Sequence, residues 1–299
     1  MERYFSLSQG PLRIPCKIYE PDFGAPKRCI LGVHGFGGSK DADILTSLSE
    51  EMSIFGSASV CFDFPAHGES PMESDALTLD NCIETLNNWI SLLSQMFPDS
   101  DKAEIVEKRS NEMYDMVQER VKDIPDEERA NAFFLFQYSD TTLLTSGQQF
   151  FGQWWADAIG AKNVATELST DNSVAVNMEQ VYSWNPDLIF MTNFNTYYPD
   201  DLYNNTVEGY DWSAVKAVQD KRVFKMPLGM YRSYTPGVDC PVTLLWMAKA
   251  AYPEKFEDVD VIAEAKDYYK EVFGIDLSDE QAQSIFEPVQ SAGGGFSYQ

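Results

Sequence analysis

Histidine is close to missing: the 299 residues hold two, His34 and His67. Beyond position 67 no imidazole is available as a general base or a metal ligand. Cysteine is sparse too. Cys16, Cys29, Cys61, Cys82 and Cys240 show no C-x-x-C spacing, so they read as buried thiols in a reducing compartment and not as a disulfide framework or a zinc site. Positive charge is short, with 22 Lys and Arg against 47 Asp and Glu and a formal net charge of −25. A field of that sign repels phosphate backbones and anionic headgroups, which argues against nucleic acid and membrane surfaces as partners while leaving a cationic or metal-bearing ligand compatible. Long apolar runs are missing as well: no segment approaches the ~20 residues of a membrane helix, and Met1-Glu-Arg-Tyr-Phe-Ser carries no signal-peptide pattern. These absences predict no membrane insertion and, as written, a cytoplasmic chain. No cofactor and no metal site is expected.

Apolar material is ample. At 44% hydrophobic and 13% aromatic, the chain can bury one large core or two modest ones. In the first third, Ile14–Tyr19, Cys29–Val33 and Ser59–Phe64 are short β-branched and aromatic runs that predict strands. Ala42–Phe55, with Ile44, Leu45, Leu48, Met52 and Phe55, and Asn81–Met96, with Ile83, Leu86, Ile90 and Leu93, have helical spacing. Alternating strands and helices predict a parallel sheet with right-handed crossovers.

Two loops at strand ends carry chemistry: His34-Gly-Phe-Gly-Gly-Ser39 and Asp63-Phe-Pro-Ala-His-Gly-Glu-Ser70. In this order, residues 1–103 resemble the N-terminal part of the α/β-hydrolases of lipase, esterase and aminopeptidase type. That resemblance implies an oxyanion loop of His34, Gly35, Phe36 and Gly37, with Phe36 as backbone donor. The family also needs a G-x-S-x-G elbow and a late histidine. Neither is in the sequence, so the loop is expected to be vestigial, with no catalytic residue and no enzyme activity. His34 and His67 are expected to pin their loops through local hydrogen bonds.

From Glu104 the pattern changes. A long half-exposed helix to about Lys122 should bury Val106, Met113, Met116, Val117 and Val121, with Pro125 ending it. Strands follow at Asn131–Tyr138, Asp187–Met191 and Arg222–Lys225, among helices at Gly147–Ile159, Asn177–Ser183, Trp212–Ala217, Val242–Ala251, Ala263–Phe273 and Ser278–Phe286. The phrases Phe150-Phe-Gly-Gln-Trp-Trp-Ala-Asp-Ala-Ile-Gly-Ala-Lys-Asn-Val-Ala165, Val181-Tyr-Ser-Trp-Asn-Pro-Asp-Leu-Ile-Phe190, Trp212–Phe224 and Leu245–Phe256 resemble the C-terminal lobe of class III, helix-linked substrate-binding proteins of ABC importers for iron–siderophores, haem or cobalamin. The resemblance implies solute binding of an iron–siderophore-like chelate, impaired by loss of the N-terminal lobe, an ABC permease as partner, and an extracytoplasmic lipoprotein as the usual family form.

The fold class is therefore α/β: a truncated hydrolase-like parallel sheet over 1–103, a linking helix over 104–124, and a Rossmann-like three-layer lobe of a helix-linked periplasmic binding protein over 125–299. The two resemblances meet near Asp101–Glu104, as in a chimera. Ligands in open α/β sheets lie beyond the carboxyl ends of strands, here the loops Ser139–Thr145, Thr192–Pro199 and Leu228–Pro236. Their candidates are Asn193, Asn195, Tyr197, Tyr198, Tyr231, Arg232 and Tyr234, with Trp154 on the preceding helix. The aromatic rings offer flat faces to a bulky chelate, and Arg232 is expected to be the one cation in these loops. The alternative is a serine hydrolase of esterase or peptidase type, disfavoured by the missing elbow and late histidine.

Overall fold

The computed structural model describes residues 2–9, 12–34, 38–64, 67–71, 102–170 and 172–289, and divides into two compact units, Met1–Met96 and Phe97–Gln299. Gly35, Phe36 and Gly37 of the expected oxyanion loop, the helix expected over 81–96, and Cys82 lie outside the described residues.

The first unit contains β1 (Glu2–Gln9), β2 (Leu12–Tyr19), β3 (Arg28–Val33), α1 (Asp43–Ile54) and β4 (Ser57–Phe62). The sheet order is β1-β2-β4-β3; β3 and β4 pair in parallel, but β1–β2 and β2–β4 are antiparallel. The expected all-parallel sheet is thus corrected to a mixed one. The reversed strand is β2, which runs opposite to β4 and β3; its other neighbour, β1, pairs with it along its whole length and is hidden in the sequence by charged and polar residues. On α1, Leu45 and Ser49 face inward, whereas Ile44 is 77% exposed and Leu48 and Phe55 also face outward. The apolar residues of that helix span two stripes, and one of them meets the sheet. Its core is small, built from Ile14, Cys16 and Phe62 with Leu31 and Phe64 beside them.

Polar contacts do much of the remaining work here. Lys40, 1% exposed, donates to Asp41 (2.8 Å), Asp63 (3.1 Å) and Glu69 (2.8 Å). Burial alone would lower its pKa, but these carboxylates hold it above the ordinary lysine value. The Asp63 carboxylate also accepts from the backbone N–H of Lys40 (2.7 Å) and of Glu69 (2.9 Å), so one buried acid ties the loop after β3 to the loop after β4. Nε2 of His34 accepts from the N–H of Phe64 at 3.1 Å, the local pinning expected for it. Cys16 and Cys61 are free and buried, and burial pushes the Cys16 thiol up to about 11.

The second unit contains α2 (Lys102–Val121), β5 (Asn131–Tyr138), β6 (Leu143–Ser146), α3 (Phe151–Ala158), β7 (Lys162–Asn163), β8 (Ser173–Ala175), α4 (Met178–Trp184), β9 (Leu188–Met191), α5 (Pro199–Tyr203), α6 (Lys216–Gln219), β10 (Val223–Lys225), α7 (Cys240–Ala251), α8 (Val261–Tyr268) and α9 (Asp279–Phe286). The order is β10-β9-β5-β6-β8, with β7 also on β5. β10, β9, β5 and β7 run parallel; β6 and β8 are antiparallel additions. Side chains of β5 alternate between two cores. Ala132 and Phe134 join Leu188, Phe190, α2 and α7 on one face, and Phe133 and Leu135 join Ile189, Met191, Val181, Leu202 and Trp212 on the other. A sheet buried on both faces reads as continuous apolar runs, as Ala132–Leu135 and Leu188–Met191 do.

On α2, Met113, Val117 and Val121 follow one another at four-residue spacing and are buried, as the period predicts. The stretch expected to be one helix over Ala263–Phe273 is instead α8 followed by a π turn at Tyr269–Phe273, closed by Gly274 at φ 71°.

Lys40→Met would leave the buried Asp63 carboxylate without its cation and should destabilise the first unit by about 3–5 kcal/mol, while Lys40→Met with Asp63→Asn, which removes the charge but keeps a side-chain oxygen for the backbone N–H groups of Lys40 and Glu69, should recover part of that loss. Urea unfolding of the full chain, single and double variants side by side, measures both.

Candidate functional site

Because β5, β9 and β10 run parallel, their carboxyl ends, Tyr138, Met191 and Lys225, open onto one edge of the sheet. The hairpin from β5 to β6 is tight there. Ser139 and Thr142 exchange backbone hydrogen bonds and Ser139 Oγ accepts from Thr141 N–H, so most of the loop expected at Ser139–Thr145 is a turn followed by strand. The two longer loops, 192–198 and 226–239, form the rim.

The loops are joined at their feet by buried polar side chains. Lys225, 6% exposed, reaches the carbonyl oxygens of Thr192 (2.9 Å), Asn195 (2.9 Å) and Tyr197 (2.7 Å) and Asn195 Oδ1 (3.2 Å). Burial pushes its pKa down to about 7; Asp201 opposes that shift and Arg232 adds to it. Asn193 donates through Nδ2 to the carbonyls of Met226 and Pro227, both at 2.8 Å. On the second loop, Asp239 at the start of α7 accepts from Met230 N–H and from the Tyr269 hydroxyl, each at 2.8 Å. Its neighbour Gly229 leaves room for that carboxylate: a Cβ there would sit 2.0 Å from Asp239 Oδ2.

The predicted residues separate into three groups. Arg232 stands half-buried with its guanidinium 4.8 Å from the centre of the Phe194 ring, and among the described residues that guanidinium makes no ion pair or hydrogen bond. Tyr231 is 57% exposed beside the exposed Met230. Tyr197 and Tyr198 are half-buried on the rim; Tyr197 packs edge-on against Tyr138, and the Tyr198 hydroxyl donates to Pro288 O. Asn193 and Asn195 are buried and do structural work with one atom each, while Asn193 Oδ1, Asn195 Nδ2 and the nearby Ser233 Oγ have no hydrogen-bond partner among the described residues. Tyr234 is not on the rim. It is wholly buried among Phe134, Phe136, Phe150 and Phe151, with its hydroxyl on Ser146 at 2.7 Å, which corrects its expected place at the ligand. Trp154 is partly buried against Trp155, whose indole N–H donates to Tyr234 O.

Lys225 was not expected, and with it Arg232 is no longer the one cation of the site. Its signal was a lysine closing the apolar strand Val223-Phe-Lys225, at the end where ligands lie. Phe194, Ser233 and Asp239 were also missed. Among the described residues no three His, Cys, Asp or Glu side chains gather as a metal ion would need.

The sheet edge thus carries two polar-footed loops and a rim arginine whose guanidinium has no ion pair among the described residues. Residues 69–228 match the family model described as periplasmic binding protein, and the chain belongs to that family. It is 26% identical over 194 residues to the molybdate-binding protein MolA of Haemophilus influenzae, a match that takes in 63% of this chain and 51% of MolA. The chain spans about half the length of this curated relative. Among solved structures, a periplasmic solute-binding protein from Veillonella parvula superposes with a TM-score of 0.64 at 23% identity, over 87% of this chain and 70% of that one. Helicobacter pylori CeuE with Ni(II) bound gives 0.56 at 21%, over 86% and 72%. At these identities the structures define the fold. The family match begins upstream of the join expected near Asp101–Glu104, and none of these likenesses is to a hydrolase.

Gly229→Ala should force the Asp239 carboxylate aside and cost about 1–3 kcal/mol, read as a lower thermal unfolding midpoint; an unchanged midpoint would show that the loop has slack the geometry does not suggest.

Proposed function

We propose that this chain is the solute-binding component of an ABC importer and that its ligand is a bulky anionic metal chelate of the iron–siderophore type, held at the rim formed by loops 192–198 and 226–239. The observation that carries this reading is Arg232. It is a half-buried guanidinium, braced on Phe194 and without a carboxylate partner among the described residues, in a chain whose net charge is −25. A cation left unpaired amid that many acids is positioned for an anion from outside. Tyr231 and Met230, exposed beside it, offer apolar surface to a large ligand. The MolA relative is named for molybdate, an oxyanion of the kind an arginine takes, and the CeuE structure holds Ni(II), which supports a metal-bearing ligand but not its negative charge.

The second unit supplies one wall of such a site, so affinity should be modest, with a Kd on the order of 10 μM for a ferric siderophore. Arg232→Ala should weaken it roughly tenfold or more, the scale of one charge-assisted contact. Lys249→Ala, on α7 with its amine on Val259 O at 2.5 Å, is the control and should leave binding unchanged. Tryptophan fluorescence titration with ferric chelates, haem and molybdate reads both. Equal affinity of wild type and the Arg232 variant would remove the site from this rim.

The hydrolase-like reading of 1–103, joined to this lobe as a chimera, has its support in the two strand-end loops, which the buried Asp63 and His34 draw together. Without an elbow serine or a late histidine it predicts no turnover of p-nitrophenyl esters above background, a deficit of about 10⁴-fold or more against a working triad. Saturable hydrolysis abolished by a single Ser→Ala change would overturn that.

A further inference from the structure

Lys225 is a buried base that the binding reading does not use. Four oxygens surround its Nζ, and all four belong to the loop 192–198: three backbone carbonyls and the Asn195 side chain. The same Asn195 Oδ1 accepts from Tyr197 N–H at 3.1 Å, so the side chain that Lys225 holds also shapes the turn that follows. Phe194, the platform under Arg232, lies between two of the carbonyls that Lys225 gathers. The loop is neither helix nor strand, and buried carbonyls in such a segment need a donor from elsewhere.

We propose that Lys225 is the positioning residue of the rim: its amine holds loop 192–198 in the shape that sets Phe194 under the Arg232 guanidinium, and it thereby governs loop opening and ligand affinity without touching the ligand. The effect on affinity rests on the solute-binding reading above; the effect on the loop does not.

The charge of Lys225 sets the direction of a pH response. Facing it are Asp201 from α5, which favours the ammonium, Arg232 from the second loop, which disfavours it, and the ring of Tyr198 at 5.1 Å from its own loop. Burial dominates, and the closed loop gives Lys225 a pKa of about 7. An open loop returns it to water and to roughly 10.4. Between these values the open form binds more protons, so rising pH favours the closed form, and opening is most frequent at pH 7 and below.

Amide hydrogen exchange on the full chain, with rates corrected for their intrinsic pH dependence, tests this on peptides covering 192–198. Protection in the wild type should rise by roughly tenfold or more from pH 7 to pH 9. In Lys225→Met it should be lower and flat with pH, while peptides from β5 and β9 keep their wild-type protection. A flat wild-type profile, or a loop as protected in the variant as in the wild type, overturns the proposal. Should the variant lose protection in β5 and β9 as well, the wild-type pH profile decides alone. Titration with ferric siderophore and molybdate adds the second half: Lys225→Met should bind about tenfold more weakly, and unchanged affinity with a loosened loop overturns the control of affinity. If the wild type binds neither probe, the solute-binding reading fails, and exchange still decides the role of Lys225.

Discussion

The site depends on one constraint: backbone polar groups in a buried loop must find partners, and a loop has no ladder to provide them. At the carboxyl edge of the second unit the chain meets that constraint twice, each time with a single buried ionisable side chain. Lys225 collects carbonyls of the loop after β9, and Asp239 collects an N–H and a hydroxyl for the loop after β10. The signs follow from what each loop leaves over. A cluster of inward carbonyls calls for a donor with several hydrogens, and a lone inward N–H beside a tyrosine calls for an acceptor, placed here at a helix start where the macrodipole favours negative charge. The first unit uses the same device at Asp63, which accepts from two backbone N–H groups and pairs with Lys40.

What lies beneath these loops is stiff for a different reason. β5 and β9 are buried on both faces, and their side chains interdigitate with helices above and below, so the strand ends that launch the loops have little freedom. Lys225, at the end of β10, is therefore held by the parallel pairing of β9 with β10, whereas Arg232 rests on Phe194 of a loop. The rim is adjustable; the edge that carries it is not.

Much of this was legible in the sequence. Fully buried strands announce themselves as apolar runs, and Asn131–Tyr138 and Leu188–Met191 fall where the runs predict. The long helix α2 was equally plain, since Met113, Val117 and Val121 repeat at its period. Edge elements were not. β1 is an edge strand with few apolar residues, and β7 and β8 are two and three residues long, too little to leave a pattern. β6, which lies between β5 and β8 and is mostly buried, is hidden because its four residues fall in a stretch that reads as loop. Within the site, Arg232 could be named from its loop, but Tyr234 could not be told from its neighbours: whether a tyrosine points outward or into a core is decided by Phe134, Phe136 and Ser146, distant in sequence. Lys225 was hidden by the opposite habit, since a lysine next to apolar residues is read as exposed until its acceptors are seen.

The acidity of the chain bears on binding in two ways that differ in range. At a distance, a net charge of −25 repels any anion, and physiological salt screens that repulsion beyond about 8–10 Å. At contact, on the solute-binding reading proposed above, the half-buried guanidinium of Arg232 would act through hydrogen bonds that salt weakens far less. On that reading the long-range term would discourage casual anions, and a ligand bringing both oxygens for Arg232 and apolar surface for Tyr231 and Met230 would recover more at short range than a small anion could. Preference for a large chelate would follow from that difference, without any residue dedicated to excluding the small one.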